Sequence, residues 1–396
     1  MEAMAAKKKG TVESAEKRVA VGIDPSKSAL QVSLLTPLTH KPCRQRLSLE
    51  PQAVNKLEEL LQRHEAVIAI EGSHSVGQLF LLQLQERGHD VREVHPLLSK
   101  RFREAISEDH SDQKDADGLA LLASWKDDLP MVSFSQEQAI YKRLSRLRTQ
   151  LVRERSRYLN QLHACLVETY GISYKPLFGD LSAKKALRFF HEYPTINDAL
   201  ADATDIQQRV GPSAWEQLQG AGIWSESIYL SCLRTEVRVL ASQILSLKDR
   251  VAEVEREMAK LAEAPEVAEL LKLPRVGLPT ALAIAGNTGD IRRFEGDVNR
   301  YVAYAGLAPA LYQSGAGGTS GRRRRRYNRY LQHAFMFLAF NMVYAQPLAR
   351  EYYDRKRLEG KRHWAAIRAL ARHPCRIVFR ALTKLKPPQE VVTSLT

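Results

Sequence analysis

The chain has 396 residues and carries 59 Lys and Arg against 45 Asp and Glu, a formal net charge of +14. That excess points to a polyanionic partner, most simply nucleic acid and otherwise an anionic membrane surface, while the length allows two or three domains with buried cores. Four scattered cysteines (Cys43, Cys165, Cys232 and Cys375) without CxxC spacing exclude a disulfide framework and a zinc site, and no apolar run is long enough for a bilayer. A reducing, intracellular setting without membrane insertion is expected.

Residues 1–17 are small, polar and charged, the composition of a disordered basic tail. Residues 19–23 form a short apolar run that ends at Asp24-Pro25, and residues 29–35 alternate before Pro37, so both read as strands. The leucine spacing of 51–64 predicts an amphipathic helix, and 66–70 predicts a buried strand ending at Glu71-Gly72. A helix (76–87), a strand (91–95) and helical segments (97–126) follow. This order predicts a mixed α/β domain over 18–130, left through the linker Lys126-Asp127-Asp128-Leu129-Pro130.

Four carboxylates stand out in that domain. Asp24 and Glu71 end two strands, and Asp112 and Asp115 lie three apart on a later helix, hence on one face. Asp117, five residues from Asp112, is turned away by roughly 140°. Asp before Pro is also ordinary turn chemistry, and an Asp at a helix N-terminus is favoured by the helix dipole. Were the four to gather, each pair about 4 Å apart would repel by roughly 4 kcal/mol at an effective dielectric of 20. Such a cluster needs a divalent cation, Mg²⁺ being the natural one.

Residues 136–169 predict a long helix with Ile140, Leu144, Leu147, Leu151, Tyr158 and Leu162 near one stripe. Arg143, Arg146, Arg153 and Arg157 stand between them, either as a solvated face or as a grip on a nucleic-acid backbone. Residues 171–234 read as short helices and loops without a usable motif. Val237, Leu240, Ile244, Leu247, Val251, Val254, Met258 and Leu261 then form an unbroken 3-4 seam, a coiled-coil pattern that suits a partner in the same chain or in another subunit. This helical middle spans 131–265, and a third domain is expected over 266–396.

In that last domain residues 273–280 lead into the small-residue segment 281–286, which resembles a helix-hairpin-helix able to hold a backbone phosphate; a plain glycine turn between packed helices suits it equally. Between Gly306 and Gly321 there are five glycines and two serines, a composition for exposed backbone rather than core. Arg322, Arg323, Arg324, Arg325 and Arg326 follow directly. A flexible loop beside a guanidinium cluster suits a phosphodiester, and Ser314 is the candidate nucleophile, with Ser320 as its rival. Residues 331–344 and 364–385 predict further helices.

Taken together, these motifs resemble the DEDD transposases of bacterial insertion sequences, the IS-one-ten family, related to the invertases that flip pilin genes. The acidic quartet matches Asp24, Glu71, Asp112 and Asp115, and the family's Gly-Leu, Pro and Ser-Gly run matches Gly306-Leu307, Pro309 and Ser314-Gly315. The resemblance implies an RNase H-like (RuvC-like) α/β N-terminal domain, an α-helical coiled-coil middle and a mainly α-helical C-terminal transposase domain. It also implies one or two Mg²⁺ ions, a phosphoserine intermediate on Ser314, a bridge RNA that pairs with donor and target DNA, and a homo-dimer or homo-tetramer with composite sites. A bacterial cytoplasmic location, at the nucleoid when active, goes with it. The chain departs from the pattern where His110-Ser111 replaces a Lys-Thr and where Tyr327, not glycine, precedes Asn328.

Two other functions use the same residues. A metal-dependent DNA nuclease or Holliday-junction resolvase needs the carboxylates alone, and a non-catalytic nucleic-acid-binding scaffold needs only the basic surface.

Overall fold

The structure is a computed structural model that describes residues 18–26, 29–36, 41–62, 64–71, 77–94, 96–106, 111–129, 131–132, 135–308, 310–312, 320–322 and 327–385, with backbone alone for 96–97, 106, 310–312 and 320–322. The chain divides into two compact units, Met1–Gln136 and Glu137–Thr396.

The first unit is built on a five-stranded mixed sheet. Its strands are β1 (Val19–Pro25), β2 (Ala29–Leu35), β3 (Cys43–Ser48), β4 (Ala66–Glu71) and β5 (Asp90–Val94), in the order β3-β2-β1-β4-β5. Strands β1, β2 and β3 form an antiparallel meander, whereas β4 and β5 run parallel to β1 and so require crossovers. The crossover segments carry helices α1 (Ala53–Leu61) and α2 (Gln78–Glu86); α3 (Pro96–Ile106) and α4 (Asp112–Trp125) follow β5. Strand β3 has no apolar alternation, and only Leu47 is buried among its six residues. An edge strand needs little burial, which is why periodicity does not predict it.

Central strand β1 is buried on both faces, and its two faces differ in kind. Val19, Val21 and Ile23 join Ile68 and Ile70 in a core with α1 and α2, each such burial contributing about 1.5–3 kcal/mol. Ala20 and Ala69 face the other way, onto Leu119, Leu122 and Ala123 of α4. Small residues there let the helix approach the sheet closely. At Gly22 the approach is closest, since a Cβ would fall 2.0 Å from the Ala116 carbonyl oxygen and 2.3 Å from the Ala120 nitrogen.

Among its described residues the second unit is helical apart from one hairpin. Helix α5 (Gln136–Tyr170) leads through a 3-10 turn (Gly171–Leu177) into α6 (Lys184–Glu192), α7 (Ile196–Ala201), α8 (Ala203–Val210) and α9 (Pro212–Gly220). These short elements enclose Tyr170, Phe189, Phe190 and Trp215, a core that does hold residues 171–234 together. Helix α10 (Ile228–Ala259) starts nine residues before the seam, capped by Ser227, whose side chain accepts from the Leu230 amide.

The seam is used inside the chain. Val237, Leu240 and Ile244 join the core of the short helices, and Leu247, Val251, Val254 and Met258 join a second core that includes Tyr141 and Leu151 of α5. Arg148 on α5 also meets Glu255 on α10 at 2.7 Å. That second core extends through α11 (Pro265–Leu271), α12 (Leu278–Thr288), α13 (Val298–Tyr304), α14 (Arg329–Ala345), α15 (Pro347–Leu358) and α16 (His363–Lys384). Between α13 and α14, β6 (Ala310–Tyr312) and β7 (Ser320–Arg322) pair antiparallel, with Leu311 opposite Gly321. The glycine-serine stretch expected as plain loop therefore stands on a β-hairpin stem. Among the described residues no helix is long and apolar enough to cross a membrane.

Candidate functional site: an acidic cluster and a rooted hairpin

The acidic cluster forms because β1 and β4 are parallel neighbours. Ile23 pairs with Ile70, so Asp24 and Glu71 come next in register at the C-terminal ends of both strands. They share the sheet face of Gly22 and Ala69, the face on which α4 lies. Ser111 caps α4, accepting from the Lys114 amide, and Asp112 and Asp115 occupy its first turn. With Ala116 pressed on Gly22, that turn lies over the end of β1.

Electrostatics report the crowding. Burial, and then the charges of Asp115, Glu71 and Asp112, push the Asp24 carboxyl up to about 6, against the lowering influence of Arg103. Burial also raises Glu71, with Asp115 adding to it, while a hydrogen bond from the Ser99 hydroxyl and the charge of Arg103 pull it down. Arg103 and Ser99 are one turn apart on α3. The Arg103 Nη1 donates to Asp115 Oδ1, and the side chains of this pair are 14% and 22% exposed. Neither residue stands out in the sequence; the only signal is a Ser and an Arg spaced i,i+4 on an amphipathic helix.

Asp117 points elsewhere, as its angular offset predicts. It accepts from the buried Ser33 hydroxyl on β2 at 2.7 Å and from Arg44 Nη2 on β3 at 2.8 Å. These contacts fix the axial position of α4 on the sheet, and with it the height of Asp112 and Asp115.

The donor set is that of a hard divalent cation: four carboxylates stand near one another, burial and their mutual repulsion keep Asp24 protonated up to about pH 6, and Arg103 supplies a single positive charge. In the present side-chain arrangement no three His, Cys, Asp or Glu among the described residues converge to chelate an ion.

In the second unit, Ser314 and Arg323, Arg324, Arg325 and Arg326 lie outside the described residues. Ser320 and Arg322 lie on β7, Ser320 paired with Tyr312. The hairpin they belong to is held at its base. Gly306 has φ +69, and a Cβ there would fall 2.5 Å from the Tyr327 ring, so the tyrosine that replaces the expected glycine is seated on a residue that only glycine can supply. Gln332 Nε2 donates to the Gly306 carbonyl at 2.7 Å, and Arg372 Nε to the Leu307 carbonyl at 2.8 Å. Asn328 caps α14, and its Nδ2 donates to the Asn287 carbonyl at 3.2 Å.

Of the four arginines singled out on α5, Arg143, Arg153 and Arg157 are exposed and have no carboxylate partner among the described residues. Arg157 lies 4.9 Å from the centroid of the Tyr158 ring. Arg146 is engaged inside the chain: its guanidinium sits 4.3 Å from the Tyr330 ring centroid and donates to Asn287 Oδ1 at 3.3 Å, and burial lowers its pKa. It ties α5 to the same node that roots the hairpin. The predicted hairpin-helix becomes α11 and α12 joined by a turn in which Arg275 takes φ +65, and Gly286 of α12 rests against the α5 backbone, where a Cβ would be 2.3 Å from the Lys142 nitrogen.

Two family models match the chain, one described as "Transposase", for the DEDD domain of IS110 elements, over residues 21–171, and one as "Transposase IS116/IS110/IS902 family" over residues 267–354. Together they span more than half of it, in the order expected. The chain belongs to the IS110/IS116 family of transposases. This transposase is 27% identical to the uncharacterized 43.6 kDa protein of insertion element IS110 from Streptomyces coelicolor, over 92% of this chain and 94% of the relative. It is 26% identical to the 44.8 kDa protein of IS116 from Streptomyces clavuligerus, over 84% and 86%. With the transposase for insertion sequence element IS1328 of Yersinia enterocolitica the identity is 24%, over 83% and 84%. The protein is thus a DNA transposase, an enzyme that cleaves and rejoins DNA strands. All four clustered carboxylates of this transposase fall in the first matched segment, and the hairpin with its anchors Gly306, Tyr327 and Asn328 falls in the second.

Proposed function

We propose that this transposase performs its strand exchange with Asp24, Glu71, Asp112 and Asp115 as the holders of one or two Mg²⁺ ions and with Ser314 as the nucleophile. The observation that carries the reading is the Asp24 carboxyl, pushed up to about 6 by burial first and then by three acidic neighbours at the ends of the parallel strands and the first turn of α4. The strand order, with an antiparallel meander on one side and parallel strands on the other, supports an RNase H-like first domain (18–130). The division of the helical remainder into a middle (131–265) and a serine domain (266–396) belongs to the same proposal.

In the reaction the Ser314 Oγ bonds to phosphorus as the bond to the departing strand's oxygen breaks, and the proton given up by the serine ends on that oxygen. Attack by the hydroxyl of the incoming strand then releases the serine, so no phosphodiester energy is lost to water. A bound Mg²⁺ would neutralise charge developing on the phosphoryl oxygens. Asp117 and Gly22 hold the helix that carries half of the donors, and Arg103 and Ser99 orient Asp115 and Glu71. Arg143, Arg153, Arg157 and Arg322 to Arg326 hold nucleic-acid backbone, with sequence choice left to a guide RNA. Arg146 acts indirectly, by steadying the hairpin. Assembly as a dimer or tetramer and a place at the nucleoid complete the proposal.

The test is a trapping assay with element-end DNA, denatured after cleavage. Ser314→Ala is expected to lose the covalent protein–DNA adduct while Ser320→Ala keeps it. The nuclease reading needs only the acidic cluster, all of whose carboxylates belong to the first unit; unaltered nicking by Ser314→Ala, with loss in Asp24→Asn, would establish it.

A further inference from the structure

An aromatic shelf on the second unit is exposed in a way that core packing does not explain. Tyr344, at the end of α14, is 70% exposed, and Trp364, at the start of α16, is 59% exposed. Phe340 joins them, its ring centroid 5.0 Å from Tyr344 and 6.2 Å from Trp364, the latter pair stacked with 26° between planes. Two exposed rings, Tyr344 and Trp364, thus flank the half-buried Phe340, which packs against the core.

Beside the shelf is an open cavity of about 580 Å³, lined by Arg275, Asn341, Tyr344 and Ala345. Arg275 comes from the α11–α12 turn and is exposed, with no carboxylate partner among the described residues. Asn341 has no side-chain hydrogen-bond partner among the described residues either, so its amide presents a donor and an acceptor to the cavity.

We propose that this cavity and shelf bind an unpaired stretch of nucleic acid. Bases have flat faces that stack on tyrosine and tryptophan, and their edges offer the donor and acceptor pairs that an amide matches. Arg275 meets the phosphate that joins them. A duplex hides its base faces and cannot use the shelf, so the site is specific for single-stranded segments. A protein partner would cover the rings equally well, but the free guanidinium and the net charge of +14 favour a polyanion. The inference rests on the chain being a nucleic-acid enzyme, and is independent of the roles given to Ser314 and the carboxylates.

The experiment is fluorescence anisotropy of the full-length protein with labelled single-stranded DNA, single-stranded RNA of the same sequence, and the corresponding DNA duplex. Tyr344→Ala and Trp364→Ala are each expected to weaken single-strand binding by roughly 5- to 100-fold, with duplex affinity unchanged. Tyr344→Phe keeps the ring and should restore binding, which separates stacking from misfolding. Arg275→Ala should weaken it and reduce the salt slope by about one. The DNA and RNA arms identify which strand occupies the site. Unchanged single-strand affinity in the Tyr344→Ala/Trp364→Ala double variant overturns the proposal, as does an equal loss for duplex. A changed oligomeric mass with nucleic-acid binding intact also overturns it, and makes the shelf a subunit interface. Asp24→Asn, assayed alongside, should lose strand exchange and keep single-strand binding, so failure of the catalytic reading is seen separately.

Discussion

Gly22 on β1 and Ala116 on α4 are in backbone contact: the position of a Cβ on Gly22 lies 2.0 Å from the Ala116 carbonyl oxygen. This contact sets how close the first turn of α4 comes to the end of β1, and therefore how close Asp112 and Asp115 come to Asp24 and Glu71.

Gly22→Val is expected to push α4 off the sheet and to cost about 2–4 kcal/mol through overpacking against backbone that cannot turn aside. The same displacement separates the carboxylates. Thermal unfolding should reveal the loss of stability, and titration followed by NMR should find the Asp24 carboxyl shifted down from about 6 toward the ordinary 3.8. A variant with native stability and an unmoved Asp24 would refute the contact's role.

Asp24→Asn should stabilise the protein above neutrality when no divalent cation is added. Folding holds Asp24 protonated up to about pH 6, whereas the unfolded chain releases the proton near 3.8. The folded state therefore loses stability as pH rises between those values, and the loss is complete above about 6. At about 1.4 kcal/mol per tenfold change in proton affinity the ceiling is about 3 kcal/mol, and partial solvation brings the expected gain to about 1–2 kcal/mol at pH 7.5. Melting curves should converge below about pH 4. Added Mg²⁺ should raise the melting temperature of the native protein more than that of the variant.

Arg103→Gln removes the cation bonded to Asp115, and with it a charge that lowers both Asp24 and Glu71. The variant should be less stable by about 1–3 kcal/mol at pH 7.5, with a steeper loss as pH rises through about 6, because the carboxylates repel without relief. Mg²⁺ should then restore more stability than it adds to the native protein. Equal Mg²⁺ effects on the two proteins would mean that the guanidinium and the ion do not share the carboxylates.

Much of the first unit is legible in the sequence because apolar runs at strand spacing are unambiguous in a buried sheet. Residues 19–23, 29–35, 66–70 and 91–94 lie on β1, β2, β4 and β5, and residue 95 of the expected strand lies outside the described residues. Strand β3 is not legible, since all its residues but Leu47 are exposed and no apolar alternation marks it. The seam of α10 is plain from its 3-4 spacing, but a spacing states only that one face is buried. That Tyr141 and Leu151 of the same chain lie in the core it joins is a matter of packing.

The carboxylate types and their order are written in the chain, as are the glycine-serine stretch and the arginine run. Periodicity, charge and a family resemblance are local properties of the chain and do not depend on how it folds. Tertiary structure alone decided that Ser99 and Arg103 reach Glu71 and Asp115, that Asp117 pins α4 through Ser33, and that Arg146 is engaged by Tyr330 and Asn287. These relationships join residues distant in sequence through close backbone approach and partial burial, and neither quantity exists until the chain is folded.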